Sequence, residues 1–335
     1  MKRIIPELVF AAGLIASVWL ILHLGFRPVG HALAVIGAGG VLLVALAHLP
    51  TLVTLGLSWR MLAHEAGGSQ AAKFVWGRLM RDAGGELLPF SQVGGVVIGA
   101  RALALTGVPG TEATVTSLLD LFVEQLAKAP YALAAVALLL WLVPGSALAG
   151  PALAVLALNL ALVAVVALRR DWVRARLAKM AASLDRRRRD SGAADPDRAE
   201  AALARALAPR SRIDLGLSFG LHMLAWGLGA AEAWVALRLL GADIGPAQAV
   251  VIDGLFVAVR MFAFAIPAAV GVQEGAYVVL CGLFGVGAPT ALAFSLVRRA
   301  RDLIVGAPAV VAWQILERHR RRTVRSDLGA AAREG

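Results

Sequence analysis

The chain has 335 residues, 59% of them hydrophobic, with a mean hydropathy of +0.75 and a formal net charge of +11. That balance excludes an ordinary water-soluble globule and points to a polytopic membrane protein. The arginines lie mainly between and after hydrophobic runs, where they set topology, so the positive charge does not mark a nucleic-acid binder. The single cysteine, Cys281, excludes an internal disulfide and a thiolate metal cluster, and the six histidines lack metal-ligand spacing. No cofactor is expected.

Met1-Lys2-Arg3 precedes an apolar run at 4–26. The run is longer than a signal-peptide core and more spans follow, so it reads as an uncleaved first helix with a cytoplasmic N-terminus. A second span, 35–57, returns to Trp59-Arg60, an interfacial aromatic beside a cation. Residues 60–82, with Lys73, Arg78 and Arg81, read as a cytoplasmic connector. A broken segment follows at 83–107, holding Gly84-Gly85, Pro89, Gly94-Gly95 and Gly99. The third span, 113–143, carries Asp120, Glu124 and Lys128 at i, i+4 and i+8, on one helical face. A fourth, 148–168, leads back to the cytoplasm.

Residues 169–210 interrupt the hydrophobic pattern with 12 Lys/Arg against 6 Asp/Glu, including Arg186 to Arg189. They read as a cytoplasmic loop that fixes orientation and touches anionic headgroups, or as a docking site for a partner. In the fifth span, 215–240, His222 and Glu232 are single polar positions to which no role is assigned, and Gly227, Gly229 and Ala233 read as helix packing. A second broken segment, 247–287, precedes the sixth span, 290–315. A basic tail, 317–335, is expected in the cytoplasm. The whole chain, 1–335, reads as one integral membrane domain.

The two broken segments correspond. Pro89 to Pro130 aligns without a gap on Pro267 to Pro308, with nine of 42 positions identical, including Gly107-Val108 on Gly285-Val286 and Ser117-Leu118 on Ser295-Leu296. Glu124 falls on Asp302, and Asp120 on Arg298, opposite in sign. Broken backbone at membrane depth persists only where it is buried in protein or faces a cavity. The charge asymmetry makes the two segments enter from opposite sides, so the halves 35–143 and 213–316 read as inverted repeats of the transporter kind. The expected fold is all-α and polytopic, with about six spans and two re-entrant hairpins. Residues 250–265 and 276–286 leave an eight-span alternative open.

The sixth span surrounds Arg298, Arg299, Arg301 and Asp302 with hydrocarbon, and charges so placed turn toward a protein interior or a water-filled cavity. The arginines suit a phosphate or hydroxylated headgroup. Asp302 is expected to neutralise Arg298 one turn away, with Asp120, Glu124 and Lys128 trading partners with the arginines between states. The same charges also suit a fixed network that registers the halves. Glu274, in the turn from Gly271 to Gly275, suits a coupling proton, a headgroup hydroxyl or a helix cap. Gln92 and Gln273 offer neutral hydrogen bonds, to a ligand or to local backbone. Pro89, Gly94, Gly95, Pro267, Gly271 and Gly275 are expected to shape the hairpins.

These residues resemble the flippase-like family that includes the transmembrane region of lysylphosphatidylglycerol synthases. Leu88-Pro89 through Gly94 resembles its LPxxxGE type element, with one residue more between proline and glycine; Ile266-Pro267, Gly271, Glu274 and Gly275 match its IPGGxGxxEG type element. The second element with AFSLVRRARDLIVGAPAVVAWQ is most similar to a branch found with bacterial hopanoid biosynthesis. Gly95 stands where the first element has an acid, and Ala268-Ala269 replace a glycine pair. The resemblance implies movement of a lipid or lipid-linked polar group, a hopanoid or a phospholipid, between leaflets of the bacterial inner membrane or out of it. Membrane lipids are the expected partners, with a homodimer and lipid-biosynthesis enzymes as further candidates. An integral-membrane enzyme and a scaffold for such enzymes are the competing classes. Against an enzyme, the sequence offers no Ser/His/Asp set and no paired histidine ligands.

Overall fold

The computed structural model describes residues 26–63, 70–87, 91–169, 212–262 and 269–334, together with 172 and 175. Most of the expected first span and of the Arg-rich loop therefore lies outside the described residues. Those described form nine helices and no strand: α1 (Phe26–Met61), α2 (Ala71–Leu87), α3 (Ser91–Leu105), α4 (Gly110–Leu142), α5 (Ala149–Leu168), α6 (Arg212–Leu239), α7 (Pro246–Phe262), α8 (Val272–Gly282) and α9 (Ala288–Glu334).

Three helices contain stretches long and apolar enough to cross a membrane: Val29–Met61, Gly110–Leu142 and Arg212–Leu239. Their outer faces are greasy, with Leu42, Leu46 and Val53 exposed on α1, Leu133 and Leu140 on α4, and Leu217 and Leu224 on α6. Apolar side chains on the outside and buried charge inside are what a lipid solvent selects. The chain is an all-α polytopic membrane protein.

α1 packs against α6 and α9, α4 against α6 and α7, and α9 against α2 and α8. The helical path of α1 is interrupted at Gly37 (φ 60°) and again loses a backbone donor at Pro50, whose carbonyl accepts from Thr54 Oγ1 at 2.7 Å.

Two pairs of short helices separate the long ones. α2 and α3 have 17 and 15 residues, α7 and α8 have 17 and 11. At 1.5 Å per residue these are about 17 to 25 Å long, below the roughly 20 residues a full crossing needs. The connector expected over 60–82 is not a surface segment: from Ala71 it is helical, and Arg78 and Arg81 are each only 5% exposed. α2 and α3 meet backbone to backbone. A Cβ at Gly99 would lie 2.8 Å from the Gly77 carbonyl, and one at Gly95 would strike the Arg81 carbonyl and sit 2.9 Å from the Gly85 nitrogen. Gly95→Ala is expected to destabilise the protein by about 1–3 kcal/mol through overpacking. Gly216→Ala, where an added Cβ meets nothing within 4 Å, should change stability by less than about 0.5 kcal/mol. Thermal unfolding in detergent compares the two.

The turns into α4 and α9 repeat each other at a constant offset. Gly107 (φ 96°) and Gly285 (φ 75°) occupy a backbone region that glycine enters without steric penalty. Thr106 N donates to Leu103 O as Phe284 N does to Cys281 O, Gly107 N to Ala104 O as Gly285 N to Gly282 O, and Ala113 N to Pro109 O as Ala291 N to Gly287 O. Ser117 and Ser295, equivalent in that register, each reach back to the preceding short helix: Ser117 Oγ to Val96 O, Ser295 Oγ to Glu274 Oε1.

Candidate functional site

The buried charge falls into two groups. In the first, α4 presents Asp120 and Glu124 to two arginines on α2. Arg81 donates to Asp120 at 2.6 Å and to Glu124 at 2.7 Å, while Arg78 donates to Glu124 at 3.0 Å and to Asp82 at 3.0 Å. Lys128 Nζ lies 3.1 Å from Glu124, and His222 Nε2, from α6, lies 3.1 Å from Asp120 Oδ1. Asp120 and His222 are fully buried. Three cations thus meet three carboxylates; Asp82 is partly exposed, while Arg78, Arg81, Asp120 and Glu124 are buried, where each charge requires its partner.

α7, α8 and α9 build most of the second group. Arg298 donates to Asp253 of α7 at 2.7 Å, and its guanidinium lies 5.8 Å from the ring centres of Tyr277 and Phe294. Arg301 donates to Glu232 of α6 and, at 2.6 Å, to Asp302. Glu232 has a second partner, His48 of α1, 2.8 Å away. Glu274, in the first turn of α8, accepts from the Gly271 amide at 2.8 Å, from Ser295 Oγ at 3.3 Å and from Arg299 Nε at 2.6 Å. Its carboxylate is therefore both a helix cap and an ion-pair partner. Gln273 Nε2 donates to the carbonyl and the hydroxyl of Ser295 at 3.3 and 3.0 Å.

The groups are joined three ways. α6 carries His222 into one and Glu232 into the other. Tyr131 of α4 donates to Asp253 at 3.0 Å and stacks on Trp226, over which Lys128 sits at 5.5 Å. Arg260 near the end of α7 pairs with Glu86 near the end of α2, tying the two short-helix pairs together.

Several expectations need correction. Asp302 does not neutralise Arg298; it takes its neighbour Arg301, because Asp253 on the adjoining α7 is buried and claims Arg298. In this structure Asp120 and Glu124 pair with Arg78 and Arg81 and not with the α9 arginines, because the long arginine side chains of α2 reach that face of α4. Gly95 serves close packing and Gly271 (φ 82°) the start of α8, whereas a Cβ at Gly275 would meet nothing within 4 Å. Gly94 lies in α3. Pro89, Pro267 and the side chain of Gln92 lie outside the described residues.

Sequence reasoning missed Arg78, Arg81, His48, Asp253 and Arg260, and left Glu232 and His222 without a role. Asp253 had a usable signal: it stands inside the apolar run 250–265, as Arg298 does in its own span. No curated protein and no solved structure matches the chain. Residues 6–309 match the family described as Lysylphosphatidylglycerol synthase TM region, and the chain belongs to that family.

Proposed function

We propose that the protein moves a polar-headed lipid between the leaflets of the bacterial inner membrane, binding and releasing it without covalent chemistry. The observation that carries this reading is the inward turn of the charges on α4 and α9 in a helical assembly whose outer faces are apolar. A headgroup crossing hydrocarbon needs such polar shelter while its tails stay in lipid. Arg299 is the most exposed of the three α9 arginines, its side chain 24% exposed and held from behind by Glu274. It is placed to accept a phosphate or hydroxyl without removing another buried charge from its partner.

The short lengths of α2, α3, α7 and α8 favour two re-entrant hairpins over eight full crossings. The repeated turns, with the chain's charge asymmetry, favour inverted halves and cytoplasmic termini. Hopanoids and phospholipids are the substrates to test first.

Glu274→Gln keeps an acceptor for the Gly271 amide but takes the charge from Arg299. In proteoliposomes carrying a fluorescent phospholipid and an impermeant quencher, it should slow translocation at least about tenfold, the loss of one charge-assisted hydrogen bond. The variant should still insert and purify as a monodisperse peak. An unchanged rate removes the role given to this carboxylate.

A further inference from the structure

The two charge groups are not balanced alike. In the first, Arg78, Arg81 and Lys128 face Asp82, Asp120 and Glu124, three cations to three carboxylates, with His222 as a further hydrogen-bond partner of Asp120. In the second, Arg260 faces Glu86, Arg298 faces Asp253 and Arg299 faces Glu274. Arg301 alone faces two carboxylates, Glu232 and Asp302. At that point Glu232, 1% exposed, is met by His48, whose side chain is 18% exposed.

We propose that the His48–Glu232 pair is a proton-binding site and that the proton it takes up is coupled to lipid movement; this rests on the transport reading above. One added proton on His48 gives Glu232, which shares Arg301 with Asp302, a second hydrogen-bonded cation in an interior where an uncompensated charge is strongly disfavoured. The groups facing His48 are accounted for. α6 supplies Glu232, and α9 supplies Arg301 and Asp302, with Arg298 within electrostatic reach of Glu232 and Arg260 of α7 within reach of Asp302. Of the charges on α2 and α4, Arg78, Arg81, Asp82, Asp120, Glu124 and Lys128 belong to the first group, which α6 meets ten residues earlier at His222, about 15 Å along the helix, and Glu86 is held by Arg260. His48 is also the accessible member of the two histidine–carboxylate pairs; His222 is sealed at 0% exposure. The pair joins α1 to α6 and α9, and so spans the two halves.

The test uses the full chain labelled with 15N-histidine in proteoliposomes. It has six histidines, and the His48 ring is assigned by its loss in His48→Gln. The expected result is a charged imidazolium at pH 6 that loses its proton by pH 9, with lipid movement changing about tenfold over the same interval in wild type and less than about twofold in His48→Gln. A ring already neutral at pH 6, or an identical pH profile in His48→Gln, overturns the proposal. If the ring titrates so but no lipid moves in any preparation, the proton site stands and the transport reading falls.

Discussion

Asp120→Ala is expected to lower the unfolding free energy by about 3–5 kcal/mol, the usual cost of removing one partner from a buried ion pair. Asp120 is fully buried and takes Arg81 at 2.6 Å, Arg78 at 3.4 Å and His222 at 3.1 Å. Its loss leaves two guanidinium groups crowded on Glu124 with no water to replace the missing charge. Asp120→Asn, which keeps the shape and one acceptor, should cost less. Combining Asp120→Ala with Arg81→Leu should recover at least about 1.5 kcal/mol relative to the sum of the single changes, since the two residues are in contact. Thermal and denaturant unfolding in detergent read all four proteins. A loss below about 1 kcal/mol for Asp120→Ala would mean that water reaches this group, and its interior character would be disproved.

The helices were legible where apolar runs end at glycine, proline or charge. The span expected at 113–143 is α4 (Gly110–Leu142), and that at 215–240 is α6 (Arg212–Leu239). α2 was not legible. Its Lys73, Arg78, Arg81 and Asp82 resemble a solvated face, with Asp82 a local i, i+4 partner of Arg78, and the buried carboxylates that both arginines also reach stand 39 to 46 residues further on. No local pattern carries that information. The inward turn of the α9 charges follows from their surroundings in hydrocarbon, but their pairing depends on which helix lies alongside. The i, i+4 rule assigned Asp302 to Arg298; Asp253, 45 residues away in sequence, holds it. His48 and Glu232 were illegible for the same reason, since each is a lone polar residue until α1 and α6 are seen together.

The opposite signs at Asp120 and Arg298 now have a structural meaning. In the first half the long helix α4 carries the acid and the short helix α2 the base; in the second, α9 carries the base and α7 the acid. Both pairings set a charged long helix against a short one with the signs exchanged, though at different registers, since on the offset that brings Asp120 to Arg298 residue Arg81 falls on Val259 and not on Asp253. The requirement at each site is a complementary pair and not a particular residue. Reversing one charge, by Asp253→Arg or by Arg298→Asp, places like charges where the native groups stand 2.7 Å apart. Either change should destabilise the protein by more than about 3–5 kcal/mol and abolish accumulation in the membrane. The double exchange, Asp253→Arg with Arg298→Asp, should restore accumulation and most of the stability. About 1–2 kcal/mol should stay lost, because the native guanidinium also lies over the Tyr277 and Phe294 rings and Asp253 accepts from Tyr131. Membrane yield and unfolding midpoint measure the outcome. If the single reversals accumulate like wild type, the pair is solvated and the second half is not built around buried charge. If the double exchange is no better than either single change, the two helices are held by residue-specific packing, and the exchanged signs at Asp120 and Arg298 carry no structural rule.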